Sequence, residues 1–336
     1  MSNGKITLCI NIIQEKILFL NKLKEIIFNN EGIIYGGTVR DKIISDYYKQ
    51  KFIDKKNNTE FFDLDNDKET INRLLVPDDV DMYFNNEEKY LSFLNNLKSI
   101  FSVSLLETNI NDINVYLNNF NIIKKKYNIS FIIGKTFTYP GISISINVDV
   151  IYTDNKGVQI EPPFKNIDFL CNVFIENKEG IRISNNTGTI IDEMNSMEKI
   201  TISAKIMNDI VNFKTSLAGN YNKYLEKILV MRVCKLLNKK NINWSINNLP
   251  FIIQNNEDDE NEDELCVICQ LSYKKNEKIV KINKDLCLKY HCNCFMQYLQ
   301  FQSTSNRNEK IRCPLRHDID FINIDIPDYN KMKYLL

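Results

Sequence analysis

A short apolar run, Ile33-Ile34-Tyr35, stops at two consecutive glycines, Gly36-Gly37, and the chain then becomes basic and amphipathic from Val39. A buried strand that must give way at once to a helix has few backbone routes open to it. Paired glycines permit the tightest of these because they lack a Cβ. Such a turn leaves free N–H groups at a helix start, where an anion is stabilised. About forty residues later Asp79-Val80-Asp81 begins a second strand. Residues two apart on a strand share a face, so both carboxylates emerge together while Val80 and Met82 point into a core.

Each half alone is weak. A glycine pair also makes an ordinary helix-start turn, and two acids at a strand edge are common. Their order carries the information: strand, glycine turn, basic helix, loop, acidic strand. Two carboxylates on one face can hold magnesium, which prefers oxygen ligands and needs no histidine. A third carboxylate comes from the run 144–150, whose alternation puts Ser145, Asn147 and Asp149 on one polar face. Arg40, one turn into the basic helix, is placed to contact phosphates beside Gly36 and Gly37.

Around these motifs the spacing predicts helices over 12–28, 39–48 and 87–100, with Gly32 ending the first. Strands are predicted over 79–84 and 101–107, and over 129–136 and 142–152 as a hairpin turning at Pro140-Gly141. Residues 51–72 read as a polar, mobile loop. Residues 110–127 are ambiguous, with helix as one reading. A helix or turn followed by a hairpin at Lys178-Glu179-Gly180 fits 167–184. Helices are expected over 204–213 and 221–239. The second carries Leu225, Ile228, Leu229, Arg232, Val233 and Leu236 on one side, which is expected to pack against the N-terminal domain.

At 336 residues the chain has room for two domains with real cores. No apolar run approaches the roughly 20 residues that cross a bilayer, so no membrane partner is expected. The N-terminus shows no secretory cleavage pattern. Formal charge is zero, but the stretch 257–264 holds seven acids and no base, which leaves the remainder at +7. That is a mild lean toward polyanions.

Six of the nine cysteines (266, 269, 287, 292, 294 and 313) and both histidines (291 and 317) fall within residues 266–317. In an intracellular chain this clustering points to metal rather than disulfides. Cys9, Cys171 and Cys234 sit in apolar segments and read as inert core residues. The expected location is a reducing one, intracellular and cytoplasmic. It is the host cytoplasm if the chain, rich in Asn, Lys and Ile, is encoded by a large DNA virus.

Taken together, Ile33-Ile34-Tyr35-Gly36-Gly37-Thr38-Val39-Arg40-Asp41 resembles the head-domain signature of the bacterial-type poly(A) polymerase and tRNA CCA-adding family, within the polymerase-β-like nucleotidyltransferases. Asp79-Val80-Asp81-Met82 is similar to that family's metal-binding motif, and Asp168-Phe169-Leu170-Cys171-Asn172-Val173 to its next one. The helix from Glu226 through Arg232 resembles its neck helix. The resemblance spans roughly residues 10–245. It implies an α+β fold, with a mixed sheet flanked by helices as the head (1–200) and a helical neck (201–253); composition and the Cys/His cluster add an acidic linker (254–265), a zinc module (266–320) and a tail (321–336). It also implies an enzyme that uses Mg2+ and a nucleoside triphosphate to extend the 3′-hydroxyl of an RNA. Asp79, Asp81 and Asp149 would be catalytic, and Gly36, Gly37, Arg40, Asp168, Asn172 and Arg232 nucleotide-binding. Leu229 stands where the family has a base-reading arginine, so what is implied is transfer rather than a particular base.

Tyr290-His291-x-x-Cys294 and Cys313-Pro-Leu-Arg316 resemble the middle and end of a RING finger. Cys266, Cys269, His291 and Cys294 make a complete set for one Zn2+. Cys287 and Cys313 remain for a second ion, with His317 and Cys292 as substitutes for the ligands replaced by Lys289 and Arg316. The resemblance implies a ubiquitin-conjugating enzyme as partner, docked near Val267, Ile268, Leu299 and Pro314. The alternative reading of the whole chain is therefore a RING-type ubiquitin ligase whose N-terminal part is an inactive binding scaffold.

Overall fold

The computed structural model describes residues 2–58, 77, 79–109, 122–133, 142–153, 161–162, 167–187, 189–218, 226–237, 244–257, 264–282, 285–304 and 311–319. Most of the expected polar loop, the Pro140-Gly141 tip, most of the acidic run and the C-terminal tail lie outside these residues. The chain divides into two compact units, Met1–Asn212 and Phe213–Leu336. Among the described residues no helix is long and apolar enough to cross a membrane.

The first unit is a mixed α+β layer structure. Helix α1 (Ser2–Asn29) buries Phe19, Leu20, Leu23, Ile26 and Ile27 at three- and four-residue spacing. Glu31, with φ of 56°, makes the left-handed exit from the helix. Gly32, expected to be the stop, is instead required by space: a Cβ there would lie 2.6 Å from the side chains of Ile27 and Phe84. Strand β1 (Ile33–Tyr35) follows, then α2 (Gly37–Asn58). This helix runs beyond its expected end near Tyr48. The i,i+4 pair of Gln50 with Asp54 supports its polar extension.

Strand β2 (Asp79–Phe84) leads into α3 (Glu87–Ile100). Asn86 caps α3 by accepting from the Lys89 N–H at 2.9 Å, with Glu87 and Glu88 in the first turn and Lys98 in the last. Strands β3 (Ser102–Asn109), β4 (Ile122–Ile133) and β5 (Ile142–Thr153) come next. Residues 122–127 are therefore strand, against the helical reading, because β4 pairs antiparallel with β5 over all 12 of its residues. A short 3-10 turn (Leu170–Asn172) precedes the hairpin of β6 (Phe174–Asn177) and β7 (Gly180–Ile183). Helix α4 (Ser196–Val211) closes the unit behind a capping box of Asn195 and Glu198. The Tyr48 hydroxyl donates to the Val211 carbonyl at 3.0 Å and ties α2 to α4.

The seven described strands are ordered β3-β4-β5-β2-β1-β6-β7. Only β2 and β5 run parallel; every other neighbouring pair is antiparallel. One sheet face is apolar. Val80, Met82, Phe84, Val148, Val150 and Tyr152 meet α3 there, through Phe84 on Phe93 (ring centroids 4.9 Å apart) and Tyr90 stacked on Tyr152 (4.3 Å). Helix α1 joins them through Phe19 on Phe131 at 4.4 Å.

In the second unit, β8 (Lys214–Ser216) pairs parallel with β9 (Ser245–Asn247). Helix α5 (Glu226–Leu237) buries Leu229, Val230, Val233, Cys234 and Leu236. Strands β10 (Phe251–Asn255), β11 (Lys278–Ile282) and β12 (Asp285–His291) form an antiparallel sheet, and α6 (Cys292–Thr304) follows. The apolar side of α5 meets α6 of its own unit, where Cys234 Sγ lies 3.6 Å from the Met296 carbonyl. The acidic run therefore joins two parts of one unit, since β10 before it pairs with β11 after it.

Candidate active site and metal centre

The polar site of the first unit is built by strand register. On β2 the pleat sends Asp79 and Asp81 to the face opposite α3, while Val80 and Met82 are buried. In the parallel neighbour β5, Asp79 pairs with Asn147 and Asp81 with Asp149. Equivalent positions on adjacent strands present their side chains side by side, so all three carboxylates share one face. Asn128 on β4 extends the row, donating from Nδ2 to Asn147 Oδ1 at 3.0 Å.

The glycine turn lies directly over this row. Tyr35 pairs with Asp81 across β1 and β2. Gly36 then takes φ of 71°, and a Cβ built on it would stand 3.4 Å from Asp81 Oδ2. Thr38 Oγ1 donates to the Asp79 carbonyl at 2.9 Å and fixes the start of α2 against β2. Two motifs separated by about forty residues are thus one piece of structure.

Arg40, expected to contact phosphates, is engaged by neighbouring side chains. It is only 8% exposed. Its guanidinium donates to Asp41 Oδ1 from Nε at 2.9 Å, and from Nη1 to Asn172 Oδ1 at 3.3 Å. Burial pulls its pKa down, but the charges of Asp41 and Cys171 outweigh that and hold it above the ordinary value. Asn172 Nδ2 in turn donates to Asp168 Oδ1 at 3.0 Å, and Asp168 also accepts from the Phe169 N–H at 3.0 Å. Gly37, Arg40, Asp168 and Asn172 therefore come together as a brace behind the turn. Arg232 lies on the exposed side of α5, in the second unit.

Sequence reasoning missed Lys124. From β4 its Nζ reaches Asp149 Oδ2 at 2.8 Å. Burial pulls the ammonium down, but the hydrogen bond to Asp149 and the negative fields of Asp149, Asp81 and Glu107 leave it above the ordinary lysine value. It sits in the segment whose secondary structure was ambiguous. Alternation along 122–129, with Lys124 and Lys126 on one side and Lys125 and Tyr127 on the other, was the faint available signal.

The second unit holds a Cys3His cluster. The ligand atoms of Cys266, Cys269, His291 and Cys294 lie within 4.8 Å of one another, the donor set and size that suit tetrahedral zinc. Cys266 and Cys269 sit on a tight turn that closes through the Gln270 N–H donating to the Cys266 carbonyl at 2.7 Å, with Gln270 at φ of 57°. His291 ends β12, and Cys294 lies in the first turn of α6. His291 Nδ1 is 3.1 Å from Cys269 Sγ, while Nε2 faces the Ser272 carbonyl at 3.2 Å and Glu277 at 3.3 Å. Burial pushes the Cys266 thiol up, yet N–H groups of Cys269, His291 and Ile268 donate to its sulfur and bring it down to about 7.

For a second ion, the Cys287 side chain lies outside the described atoms. Cys292, Cys313 and His317 join no group of three ligands among the described residues. The Cys313 loop is closed by hydrogen bonds: Cys313 N–H to the His317 carbonyl at 2.8 Å, Arg316 N–H to the Cys313 carbonyl at 2.8 Å, and His317 N–H to Cys313 Sγ at 3.3 Å. Of the residues expected to form a docking groove, Val267 is exposed, Ile268 and Pro314 are half-buried, and Leu299 is fully buried.

No protein-family model matches this chain, and no curated protein does. Among solved structures it is similar to a CCA-adding enzyme in complex with CTP, at 12% identity and a TM-score of 0.32. The similarity covers 68% of this chain and 40% of that one, so the chain spans less than half the length of that enzyme.

Proposed function

We propose that the first unit is a magnesium-dependent nucleotidyltransferase that adds nucleotides, without a template, from a nucleoside triphosphate to the 3′-hydroxyl of an RNA, in the manner of poly(A) polymerases and CCA-adding enzymes. One observation carries this reading: the Gly36 turn stands against the Asp81 carboxylate, with Asp79 and Asp149 on the same face. A site for triphosphate and a site for divalent metal thereby coincide. Three carboxylates fit magnesium by donor chemistry. Bound there, the ion would neutralise phosphate charge and favour ionisation of the attacking hydroxyl. Asp79 and Asp81 are its ligands and Asp149 assists. The N–H groups of the Gly36-Gly37 turn take the phosphates. Arg40, Asp41, Asp168 and Asn172 hold that turn in place rather than meeting the substrate first.

The Cys3His centre makes the second unit a zinc-stabilised module. A second reading, the ubiquitin ligase with an inactive first unit, draws support from the exposed Val267, Leu271 and Leu315 beside the cysteine loops. The two readings separate in one experiment. The full chain is incubated with Mg2+, RNA and each labelled nucleoside triphosphate, beside Asp79→Ala/Asp81→Ala. Extension of the RNA that the double substitution abolishes supports transferase chemistry. Extension that survives it removes the assigned metal site. No extension with any base, together with autoubiquitination lost in Cys266→Ser, supports the ligase.

A further inference from the structure

The carboxylate face of the first unit carries its own cation. Lys124 Nζ lies 2.8 Å from Asp149 Oδ2, and its charge also feels Asp81 and Glu107. Lys126 occupies the register position directly opposite Asp149 on the neighbouring strand. Lys125, between them, projects to the other face, with Nζ 4.9 Å from the centroid of the Tyr90 ring and 5.4 Å from that of Tyr152. The pleat thus separates site-facing lysines from a packing lysine. Meanwhile the arginine next to the glycine turn, Arg40, is buried against Asp41 and Asn172. Among the described residues β4 therefore supplies cations to this face, far in sequence from the phosphate-binding turn.

We propose that Lys124 is an exchangeable substrate cation: it pairs with Asp149 before substrate enters, and on nucleotide binding its ammonium turns to the triphosphate and leaves the Asp149 charge uncompensated. This rests on the nucleotidyltransferase reading. Three carboxylates on adjoining positions repel one another, and an ammonium among them relieves that repulsion. A lysine suits the exchange because its charge is compact and rides on a flexible stem, unlike the planar fork of arginine. Lys124 is about one-third exposed and Asp149 less so, so the ammonium has solvent-side freedom that its partner lacks. A triphosphate offers several anionic oxygens where Asp149 offers two, so the nucleotide is the stronger partner. Nucleotide and divalent cation then tighten each other's binding, because the one draws Lys124 away from the carboxylate that assists the ligands of the other.

The signature is a pair of opposite shifts. Mn2+ alone is titrated into the full chain by electron paramagnetic resonance. Fluorescent ATP is titrated separately in EDTA and read by anisotropy. Lys124→Met is expected to bind Mn2+ about tenfold more tightly and ATP about tenfold more weakly. Lys124→Arg is expected to keep ATP binding. In an Asp149→Asn background, Lys124→Met is expected to leave Mn2+ affinity unchanged. Melting curves check folding, with Lys124→Gln as the second variant if Lys124→Met does not fold. Mn2+ and ATP affinities that fall together, or a Lys124→Met protein in which neither moves, overturn the exchange while leaving the transferase reading standing. A wild-type chain that binds no Mn2+ overturns both.

Discussion

The two sites of this chain are assembled in opposite ways. In the first unit, Gly36, Asp81 and Asp149 meet because three strands hydrogen-bond in fixed register, and the apolar face behind them is already buried by α1 and α3. In the second, Cys266, Cys269, His291 and Cys294 come from a turn, a strand end and a helix start, next to a sheet of only three described strands. One site lies on the outer face of a sheet whose other face is already packed; the other, if it holds zinc as proposed, would help hold its unit together. Metal loss should accordingly be a functional event in the first unit and a structural one in the second.

The largest effect expected from this contrast is in the second unit. A structural zinc ion contributes about 10 kcal/mol or more to folding where no preformed site exists in the unfolded chain. Stripping zinc with a strong chelator, or Cys269→Ser, is expected to expose Phe213–Leu336 to limited proteolysis while Met1–Asn212 stays resistant. Cleavage spread evenly over both units would break the comparison.

The next effect falls in the first unit and should read the other way. Asp79→Ala/Asp81→Ala is expected to lower transfer by roughly a thousandfold or more, since metal neutralisation of phosphate charge is worth several kcal/mol. The melting temperature of the unit should change little, because both carboxylates lie on the face opposite the apolar core. A drop in stability to match the drop in activity would show these acids to be structural.

Gly36→Ala tests the junction between turn and carboxylates. The backbone at φ of 71° costs a side chain roughly 1–2 kcal/mol, and the added methyl would sit 3.4 Å from Asp81 Oδ2. Loss of transfer beyond the loss of stability is expected. Gly37→Ala is the milder control, since the nearest atoms its Cβ would meet are at the tip of the Arg40 side chain, 3.2 Å from Nη2.

How far the sequence foretold this depends on whether the signal was local. Helix α3 was legible because its cap, acidic first turn and apolar stripe all lie within Asn86–Phe101. The strand–Gly36-Gly37–helix unit and the shared face of Asp79 and Asp81 were legible for the same reason. The pairing of Asp149 with Asp81 was only half legible: alternation gave the face, but register across 68 residues is decided by the whole sheet. Lys124 was hidden because three lysines in a row argue against a strand, and pairing with β5 overrode that preference. Arg40 was half legible, because sequence shows a cation near the glycine turn but not the buried Asp41 or the Asn172 that engage it. The acidic run looked like a tether because composition shows solvation, not that β10 before it and β11 after it form one ladder.

The smallest predicted effect probes how the zinc site is oriented rather than whether it exists. His291 presents Nδ1 to the cluster, 3.1 Å from Cys269 Sγ, so its other nitrogen must be held as a donor. Two acceptors do this, the Ser272 carbonyl at 3.2 Å and Glu277 at 3.3 Å. The carbonyl is fixed by the backbone; the carboxylate adds a negative charge at the far side of the ring, which strengthens the metal bond. Glu277→Gln keeps the shape and an acceptor but removes the charge. It is expected to weaken zinc about tenfold in competition with a chromogenic chelator, with no change in RNA extension by the first unit. An unchanged zinc affinity would mean that the Ser272 carbonyl alone orients His291, and a fall in RNA extension would mean that the two sites are not independent.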